Sequence, residues 1–278
     1  MQRTFDSQSF LMNALQEDIG SGDITSSAVI PEQAVGNYVF RAREALVMAG
    51  GMFLPMIFGL INEKTKVSVN VADGQFVEAG TILASVEGSV RAILAGERVA
   101  LNILQHLCGI ALHTRAFVNA VGGTGAKIVD TRKTLPGWRE LQKYAVRCGG
   151  GHNHRMGLYD GVLIKDNHIA AAGGITAALK MAKQNTPLLT RIEIECDTLA
   201  QVEEAVAAGA DIILLDNMDN ETLSKAVTLA KAKNILTEAS GNVSLDTVAA
   251  IAKTGVDVIS VGRLTHSVRA VDIGLDAA

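Results

Sequence analysis

The chain has 278 residues, of which 48% are hydrophobic and 4% aromatic, and it carries a net charge of −4 at neutral pH. This length accommodates one large domain, or a barrel with a smaller domain attached. The sequence shows no apolar run near the roughly 18 residues of a membrane span and no signal-peptide core, and its acidic balance disfavours nucleic acid as a partner. We therefore expect a soluble, cytoplasmic protein whose three cysteines are reduced, because their spacing shows no pairing.

The first half of the chain predicts two helices and a set of short strands. Residues 7–19 place apolar side chains on one side of a helix that Gly20 ends. Residues 91–120 predict a long helix with an apolar stripe. The segments that we expect to form strands between turn signals are 37–43, 45–49, 66–72 and 81–86.

In the second half, short apolar runs end in a polar or small residue and are followed by helical stretches. Continuous apolar strands that alternate with helices indicate a parallel sheet covered on both faces. At least six such units, spaced roughly 20–35 residues apart, favour an α/β barrel with fewer than eight strands. A doubly wound sheet stays possible, although no GxGxxG motif follows a strand. The runs end at Asp130, Lys165, Glu195, Asp216, Ser240 and Gly262.

In a barrel, the carboxyl ends of the strands form one rim, where the active site is expected. A single polar residue at a strand end is common, but six in register favour a shared site. The candidate site residues at or just past these ends are Thr131, Arg132, Lys133, Lys165, Glu195, Asp216, Ser240, Gly241, Asn242, Val261, Gly262 and Arg263.

Positive charge is concentrated in one segment. Residues 127–165 contain eight Lys and Arg against three Asp and Glu, a local charge of +5, so the rest of the chain carries −9. This patch favours a small, highly anionic ligand, and the alternative is a solvated, salt-bridged helix face. The adjacent Arg132 and Lys133 suit carboxylate and phosphate together, because Arg binds carboxylates through a bidentate fork. They could also be two solvated loop cations.

Three further groups suggest particular chemistry. His154 and Arg155 follow three glycines, and we interpret them as anion ligands. The alternative is a metal site of Cys148, His152 and His154, but a full ligand set with structural-zinc spacing is missing. Lys165 suits either a Schiff base or a phosphate contact. Glu195 and Asp216 suit magnesium or sugar hydroxyls, with ion pairs in the barrel mouth as the alternative.

The loops 240–242 and 262–263 precede predicted helices at 244–252 and 264–270. Free N–H groups at such helix starts bind phosphate, although small residues also begin ordinary helices. A third helix is expected to begin at Pro136-Gly137, with Trp138 on its buried side.

These features belong to a longer pattern. The segments that carry it are EDIGSGDIT, ERVALNILQHLCGIA, DTRKTLPGWRELQKYAVRCGGGHNHRMGLYDGVLIKDNH, IEIECDT, IILLDN, SGNVS and TGVDVISVGRLTHS. In them, over almost the whole chain, the protein resembles the quinolinate phosphoribosyltransferase family. It departs from the family pattern at Arg263, where a small residue is commoner.

The resemblance implies an N-terminal α/β open-faced sandwich domain over residues 1–110, on which the tail 268–278 packs. It implies an incomplete, TIM-like α/β barrel over 111–267, and a homodimer that could assemble further. The implied reaction transfers a phosphoribosyl group from phosphoribosyl pyrophosphate (PRPP) to quinolinate. The products are nicotinate mononucleotide, pyrophosphate and carbon dioxide, with Mg²⁺ and without an organic cofactor.

The same resemblance implies roles for the candidate residues. Lys133, Lys165, Glu195 and Asp216 would be catalytic, and Glu195 and Asp216 would hold the ribose hydroxyls and Mg²⁺. Lys165 would reach the substrate or its phosphates. The dicarboxylate ligands would be Arg98 from the neighbouring subunit, Arg132, Lys133, His154 and Arg155. The phosphate ligands would be Ser240, Gly241, Asn242, Gly262 and Arg263, with Thr131 and Val261 as further substrate contacts.

Other functions stay open at this point. A nicotinate-type phosphoribosyltransferase would use a monocarboxylate and need fewer cations. A class I barrel aldolase would act through Lys165. A non-catalytic phosphosugar-binding protein, or the paralogue encoded beside molybdate transport genes, would not need every cation and both carboxylates.

Overall fold

The computed structural model describes residues 6–278. The chain forms two compact units, each described separately below. The first unit contains the described residues up to 113, together with 140–150 and 268–278. The second unit contains 114–139 and 151–267. The division predicted near residue 110 stays a prediction.

The strands, in chain order, are β1 (Val35–Ala42), β2 (Leu46–Val47), β3 (Lys66–Val69), β4 (Phe76–Val77), β5 (Ile82–Ser89), β6 (Lys127–Val129), β7 (Val162–Ile164), β8 (Ile192–Cys196), β9 (Ile212–Asp216), β10 (Leu236–Ser240), β11 (Val258–Ser260) and β12 (Ile273–Ala277). The helices are α1 (Ser7–Ile19), α2 (Ile24–Val29), α3 (Phe53–Ile61), α4 (Val90–Ala120), α5 (Arg139–Cys148), α6 (Asp166–Ala172), α7 (Ile175–Asn185), α8 (Leu199–Ala207), α9 (Asn220–Lys231), α10 (Leu245–Lys253) and α11 (Arg263–His266).

The first unit is built on an antiparallel sheet in the order β12-β1-β5-β3, beside a separate β2-β4 pair. The C-terminal strand pairs with β1 from Tyr38 opposite Ala277 to Ala42 opposite Ile273. The core contains Phe40 of β1 and Phe58 of α3, which are fully buried with ring centroids 6.1 Å apart. Burying each ring contributes about 1.5–3 kcal/mol, so this contact between sheet and helix stabilises the first unit.

The second unit contains a parallel sheet in the order β6-β11-β10-β9-β8-β7, and helices follow its strands. β6 and β7 lie at the two ends of this order, so the barrel is incomplete, as the sequence predicts. On β9, Ile213 and Leu215 are fully buried and alternate with Leu214 and Asp216. Because successive side chains point to opposite faces of a strand, Leu214 and Asp216 share the other face.

The strand register aligns the polar residues of neighbouring strands. Leu214 lies opposite Glu195 of β8 and Glu238 of β10, and Asp216 lies opposite Ser240. Charged and polar side chains from different strands therefore reach the same level of the sheet, at its carboxyl end.

Several sequence-based boundaries need correction. The helix expected at Pro136-Gly137 begins at Arg139, because Gly137 adopts a left-handed φ of 80°, and Trp138 lies in the turn before it. The helix expected over 264–270 is shorter and is α11, which ends at His266. The residues from 268 onwards belong to the first unit. The predicted helices at 7–19, 91–120 and 244–252 are confirmed within one residue.

None of the helices in residues 6–278 is both long enough and apolar enough to span a membrane. All three cysteines are free thiols.

Candidate active site

A cavity of about 550 Å³ lies at the carboxyl ends of the parallel strands in the second unit. Its volume is within the range of small-molecule sites. The predicted site residues that line it are Thr131, Arg132, Lys133, His154, Arg155, Lys165, Glu195, Asp216, Ser240, Gly241 and Asn242. We name Arg132, Lys133, His154 and Arg155 the cationic side of this cavity, and Glu195, Asp216 and the loop 240–242 its acidic side.

The cationic side begins in the loop after β6. Thr131 Oγ1 accepts a hydrogen bond from Lys133 N at 3.0 Å, and Thr265 Oγ1 donates to Lys133 O at 2.7 Å. Arg132 Nε is buried and has no hydrogen-bond partner among the described protein atoms. A buried donor without a partner costs about 1–3 kcal/mol, so an anion that reaches Arg132 would recover this energy.

Arg155 faces the same cavity from the loop after the glycine run. Its guanidinium donates to Gly161 O at 3.0 Å. Burial, and then the nearby positive charge of Arg132, lowers the pKa of Arg155. Two guanidinium groups that repel each other favour an anion between them.

A buried carboxylate holds the loop that carries Arg155. Asp130 is fully buried and accepts hydrogen bonds from His154 N at 2.9 Å and Asn153 Nδ2 at 2.5 Å. His152 N donates to Ile128 O at 2.9 Å, which extends the parallel pairing beside β6. The three-glycine segment therefore leads into a loop with a defined position.

The His154 ring lies between two buried carboxylates. Its Nε2 is 3.2 Å from Glu193 Oε2 and 3.3 Å from Glu238 Oε2. Burial lowers the pKa of His154, but hydrogen bonds and attraction from both glutamates outweigh it and raise the pKa to about 10. Burial also raises the pKa of Glu193. The two carboxylates therefore favour a proton on His154 Nε2.

The tautomer of His154 decides whether this cluster suits a metal. Nδ1 accepts a hydrogen bond from Arg155 N at 2.8 Å, so Nε2 carries the ring proton and points it between the glutamates. An Nε2 that bears a proton cannot ligate a metal, although His154, Glu193 and Glu238 could otherwise be grouped as ligands.

The acidic side contains an ion pair and a cluster of three carboxylates. Lys165 Nζ is 2.7 Å from Glu195 Oε2, and the lysine side chain is 47% exposed. Carboxylate oxygens of Glu195, Asp197 and Asp216 lie within 4.8 Å of one another. Hard oxygen ligands of this kind suit Mg²⁺, so the donor set fits the ion that the resemblance implies.

The loop after β10 has a special backbone. Gly241 has φ +98°, and a Cβ at this position would lie 2.2 Å from Asn217 Oδ1. Asn217 Nδ2 donates to Asp216 Oδ2 at 2.5 Å, and Asn242 Nδ2 donates to Asn217 Oδ1 at 3.3 Å. The amide of Asn217 therefore connects the Asp216 carboxylate to the loop, and only glycine fits at position 241.

Four predicted residues are not among those that line the cavity. Arg98 belongs to the first unit, where it is exposed on α4 and has no hydrogen-bond or ion-pair partner among residues 6–278. Val261 is buried and donates its N–H to Val129 O. Gly262 packs near Lys133, since a Cβ there would lie 3.0 Å from Lys133 Cδ, and Arg263 is exposed on α11.

The sequence analysis missed five residues that line the cavity: Leu163, Leu214, Asn217, Glu238 and Ser260. The strand-end rule selects only residues at or just past the end of each strand. The period-two alternation of a strand is the signal that could have found Leu163, Leu214 and Glu238, because each lies two residues before a predicted site residue.

Comparison with known proteins identifies the family of the chain. The model of the quinolinate phosphoribosyl transferase C-terminal domain matches residues 110–276, and that of the N-terminal domain matches 23–108. A probable carboxylating nicotinate-nucleotide pyrophosphorylase from Bacillus subtilis is 46% identical over 94% of this chain and 89% of its own length. A decarboxylating quinolinate phosphoribosyltransferase from Nicotiana tabacum is 41% identical over 98% of this chain and 82% of its own length.

Solved structures show the same similarity. The nicotinate-nucleotide pyrophosphorylase from Ehrlichia chaffeensis superposes with a TM-score of 0.93 at 43% identity, covering 100% of both chains. Human nicotinic acid phosphoribosyltransferase shares the fold alone, with 12% identity and a TM-score of 0.57. The superposition covers 98% of this chain and 74% of that chain. The chain therefore belongs to the quinolinate phosphoribosyltransferase family.

Proposed function

We propose that this protein transfers the phosphoribosyl group of PRPP to quinolinate, with loss of carbon dioxide, to give nicotinate mononucleotide and pyrophosphate. The observation that carries the proposal is one cavity in which a cationic side meets an acidic side. On the cationic side, the buried Arg132 Nε has no hydrogen-bond partner among the described residues. Family membership supports the same activity.

The cationic side would bind the two carboxylates of quinolinate. Arg132 and Arg155 lie close enough for their charges to interact, and Lys133 follows Arg132 in the same loop. Planar guanidinium groups bind carboxylates through paired hydrogen bonds. A dicarboxylate would offset the repulsion between these cations, which a monocarboxylate would do less completely.

The acidic side would bind the ribose and stabilise the charge that develops on it. As pyrophosphate departs, positive charge builds on ribose C1, and Glu195 and Asp216 supply negative charge in the same cavity. Mg²⁺, held by Glu195, Asp216 and Asp197, would offset the charge of the leaving pyrophosphate. Lys165, now paired with Glu195, could exchange that partner for a phosphate oxygen of PRPP.

The loop 240–242 would bind the phosphate groups. Gly241 lets the backbone approach closely, and Asn242 presents its amide beside it. Val261, Gly262 and Arg263 would contribute at the edge of this site through the turn that begins α11, beside Lys133.

Decarboxylation follows from the bond that the pyridine nitrogen forms with ribose C1. The nitrogen then carries positive charge next to ring C2. The bond from C2 to its carboxylate breaks, the electron pair stays on C2, and a proton from the medium completes the product. The protein would contribute mainly by holding both reactants in a reactive geometry, so no organic cofactor is required.

We also propose a homodimer, or a larger assembly of dimers, in which Arg98 completes the dicarboxylate site of the neighbouring subunit. The support is that Arg98 is exposed and unpaired on α4 among the described residues. In a two-fold dimer, both sites would be completed in the same way.

The aldolase alternative is less well supported. A Schiff base requires a free amine at Lys165, whereas Lys165 Nζ is 2.7 Å from Glu195 Oε2 and forms an ion pair with it.

The experiment that tests the proposal uses quinolinate labelled in its 2-carboxylate. We expect labelled carbon dioxide and nicotinate mononucleotide to appear together only when PRPP and Mg²⁺ are both present. Nicotinate in place of quinolinate is the control for the nicotinate-type alternative. Quinolinate that stays intact under these conditions would refute the proposed function.

A further inference from the structure

The proposed reaction leaves two buried carboxylates without a role. We propose that Glu193 and Glu238 are positioning residues, which hold the His154 ring from beneath and through it fix Arg155 for the dicarboxylate. This inference rests on the proposed function, because it specifies how the cationic side keeps its geometry.

The contacts form a continuous chain from the sheet to the cavity. Glu193 lies on β8 and Glu238 on β10, and both accept from His154 Nε2, at 3.2 and 3.3 Å. The opposite ring nitrogen, Nδ1, accepts from Arg155 N at 2.8 Å. The two glutamates therefore set the plane of the ring, and the ring sets the backbone position of Arg155.

The energetic cost of this arrangement favours a functional role. Glu193 and Glu238 are 5% and 4% exposed, and Glu193 Oε1 has no hydrogen-bond partner among the described atoms. Replacing buried polar pairs with apolar residues is often neutral or stabilising. An arrangement that costs stability and contacts the loop of Arg155 is expected where the position of that loop matters.

Asp130 supports the same loop from its other side, through His154 N and Asn153 Nδ2. Three buried carboxylates therefore hold the segment 153–155. Such a rigid support predicts an effect on binding of the dicarboxylate, because a preorganised ligand loses little freedom when the substrate binds. It predicts little effect on binding of PRPP, whose proposed ligands lie on the acidic side.

The test compares Glu238→Ala with Glu238→Gln and Glu238→Asp. Alanine removes the acceptor for Nε2, and we expect it to raise KM for quinolinate about tenfold to a hundredfold, while KM for PRPP changes less than about threefold. Glutamine keeps an acceptor at the same distance and should restore most of the affinity. Aspartate keeps the charge but withdraws the acceptor, so it should resemble alanine.

A double-mutant cycle with Arg155→Ala separates positioning from general damage. If Glu238 acts through Arg155, the double variant should bind quinolinate about as weakly as Arg155→Ala alone. The matched control is Asp257→Asn, which changes a carboxylate of the same unit that accepts from Thr237 N and Oγ1 at 2.9 Å. We expect this control to leave both KM values unchanged.

Three results would overturn the inference: effects of Glu238→Ala and Arg155→Ala that multiply, an equal rise of both KM values, or rescue by aspartate but not by glutamine. If the alanine variant does not fold, the comparison of Glu238→Gln with Glu238→Asp still tests whether the position of the acceptor controls KM for quinolinate. Normal turnover of quinolinate by the wild type, with no change in any Glu238 variant, would refute this inference alone. Failure of the wild type to bind or convert quinolinate would refute the proposed function as well.

Discussion

The two sides of the cavity are built differently. On the cationic side, buried carboxylates hold His154 and its loop, and Arg132 Nε is buried. On the acidic side, Lys165 is half-exposed and pairs with Glu195. A fixed cationic side suits an anion whose charge is present before the reaction. A more open acidic side suits groups whose partners change as the reaction proceeds.

The largest expected effect concerns the acidic side. If Glu195 and Asp216 stabilise developing positive charge, Glu195→Gln and Asp216→Asn should lower kcat by about a hundredfold to a thousandfold and change KM much less. Steady-state kinetics at saturating Mg²⁺ measure both constants. A normal kcat in either variant would contradict this role.

The cationic side should instead control affinity. Arg132→Ala or Arg155→Ala should weaken quinolinate binding by about 2–4 kcal/mol, the scale for losing one partner of a desolvated charge pair. Titration calorimetry measures this directly. Unchanged affinity in both variants would mean that the cationic side does not bind the dicarboxylate.

Mixed dimers test whether the cationic side is completed by a neighbour. Arg98→Ala and Lys133→Ala should each be nearly inactive. After the two variants are unfolded and refolded together, half of the dimers should contain one intact site, and activity should recover to about a quarter of wild type. Mixed dimers that form without regaining activity would show that Arg98 does not act across the interface.

The smallest effect concerns the loop of the acidic side. Gly241→Ala should lower stability by about 1–3 kcal/mol, because it combines a left-handed backbone with a 2.2 Å contact to Asn217 Oδ1. It should also raise KM for PRPP. Gly255→Ala is the control, because Gly255 also has a left-handed backbone, with φ +87°. A Cβ at Gly255 would lie at an ordinary contact distance of 3.5 Å from its nearest atom, Lys231 Nζ. This control should lose stability without a change in KM.

The acidic side was easier to predict from the sequence than the support beneath the cationic side. Glu195 lies within β8, one residue before it ends, and Asp216 and Ser240 end their strands, so the barrel rule places all three at one rim. The supporting carboxylates lie deeper. Glu193 and Glu238 precede Glu195 and Ser240 by two residues, and their contact with His154 joins segments that are 39 and 84 positions apart.

The helix boundaries show a similar limit. Apolar periodicity predicts that a helix follows Pro136, but not that Gly137 delays its start to Arg139. It also could not show that the chain after His266 returns to the first unit, where β12 pairs with β1. The second outcome depends on tertiary contacts that local patterns do not contain.

The ratio of kcat/KM for quinolinate to kcat/KM for nicotinate tests the central claim most directly. If the cationic side binds the 2-carboxylate, this ratio should be about 30-fold or more in the wild type, which corresponds to about 2 kcal/mol or more. It should fall towards one in Arg132→Ala. Equal values for the two acids in the wild type, or a ratio that Arg132→Ala leaves unchanged, would contradict a cavity built for a dicarboxylate.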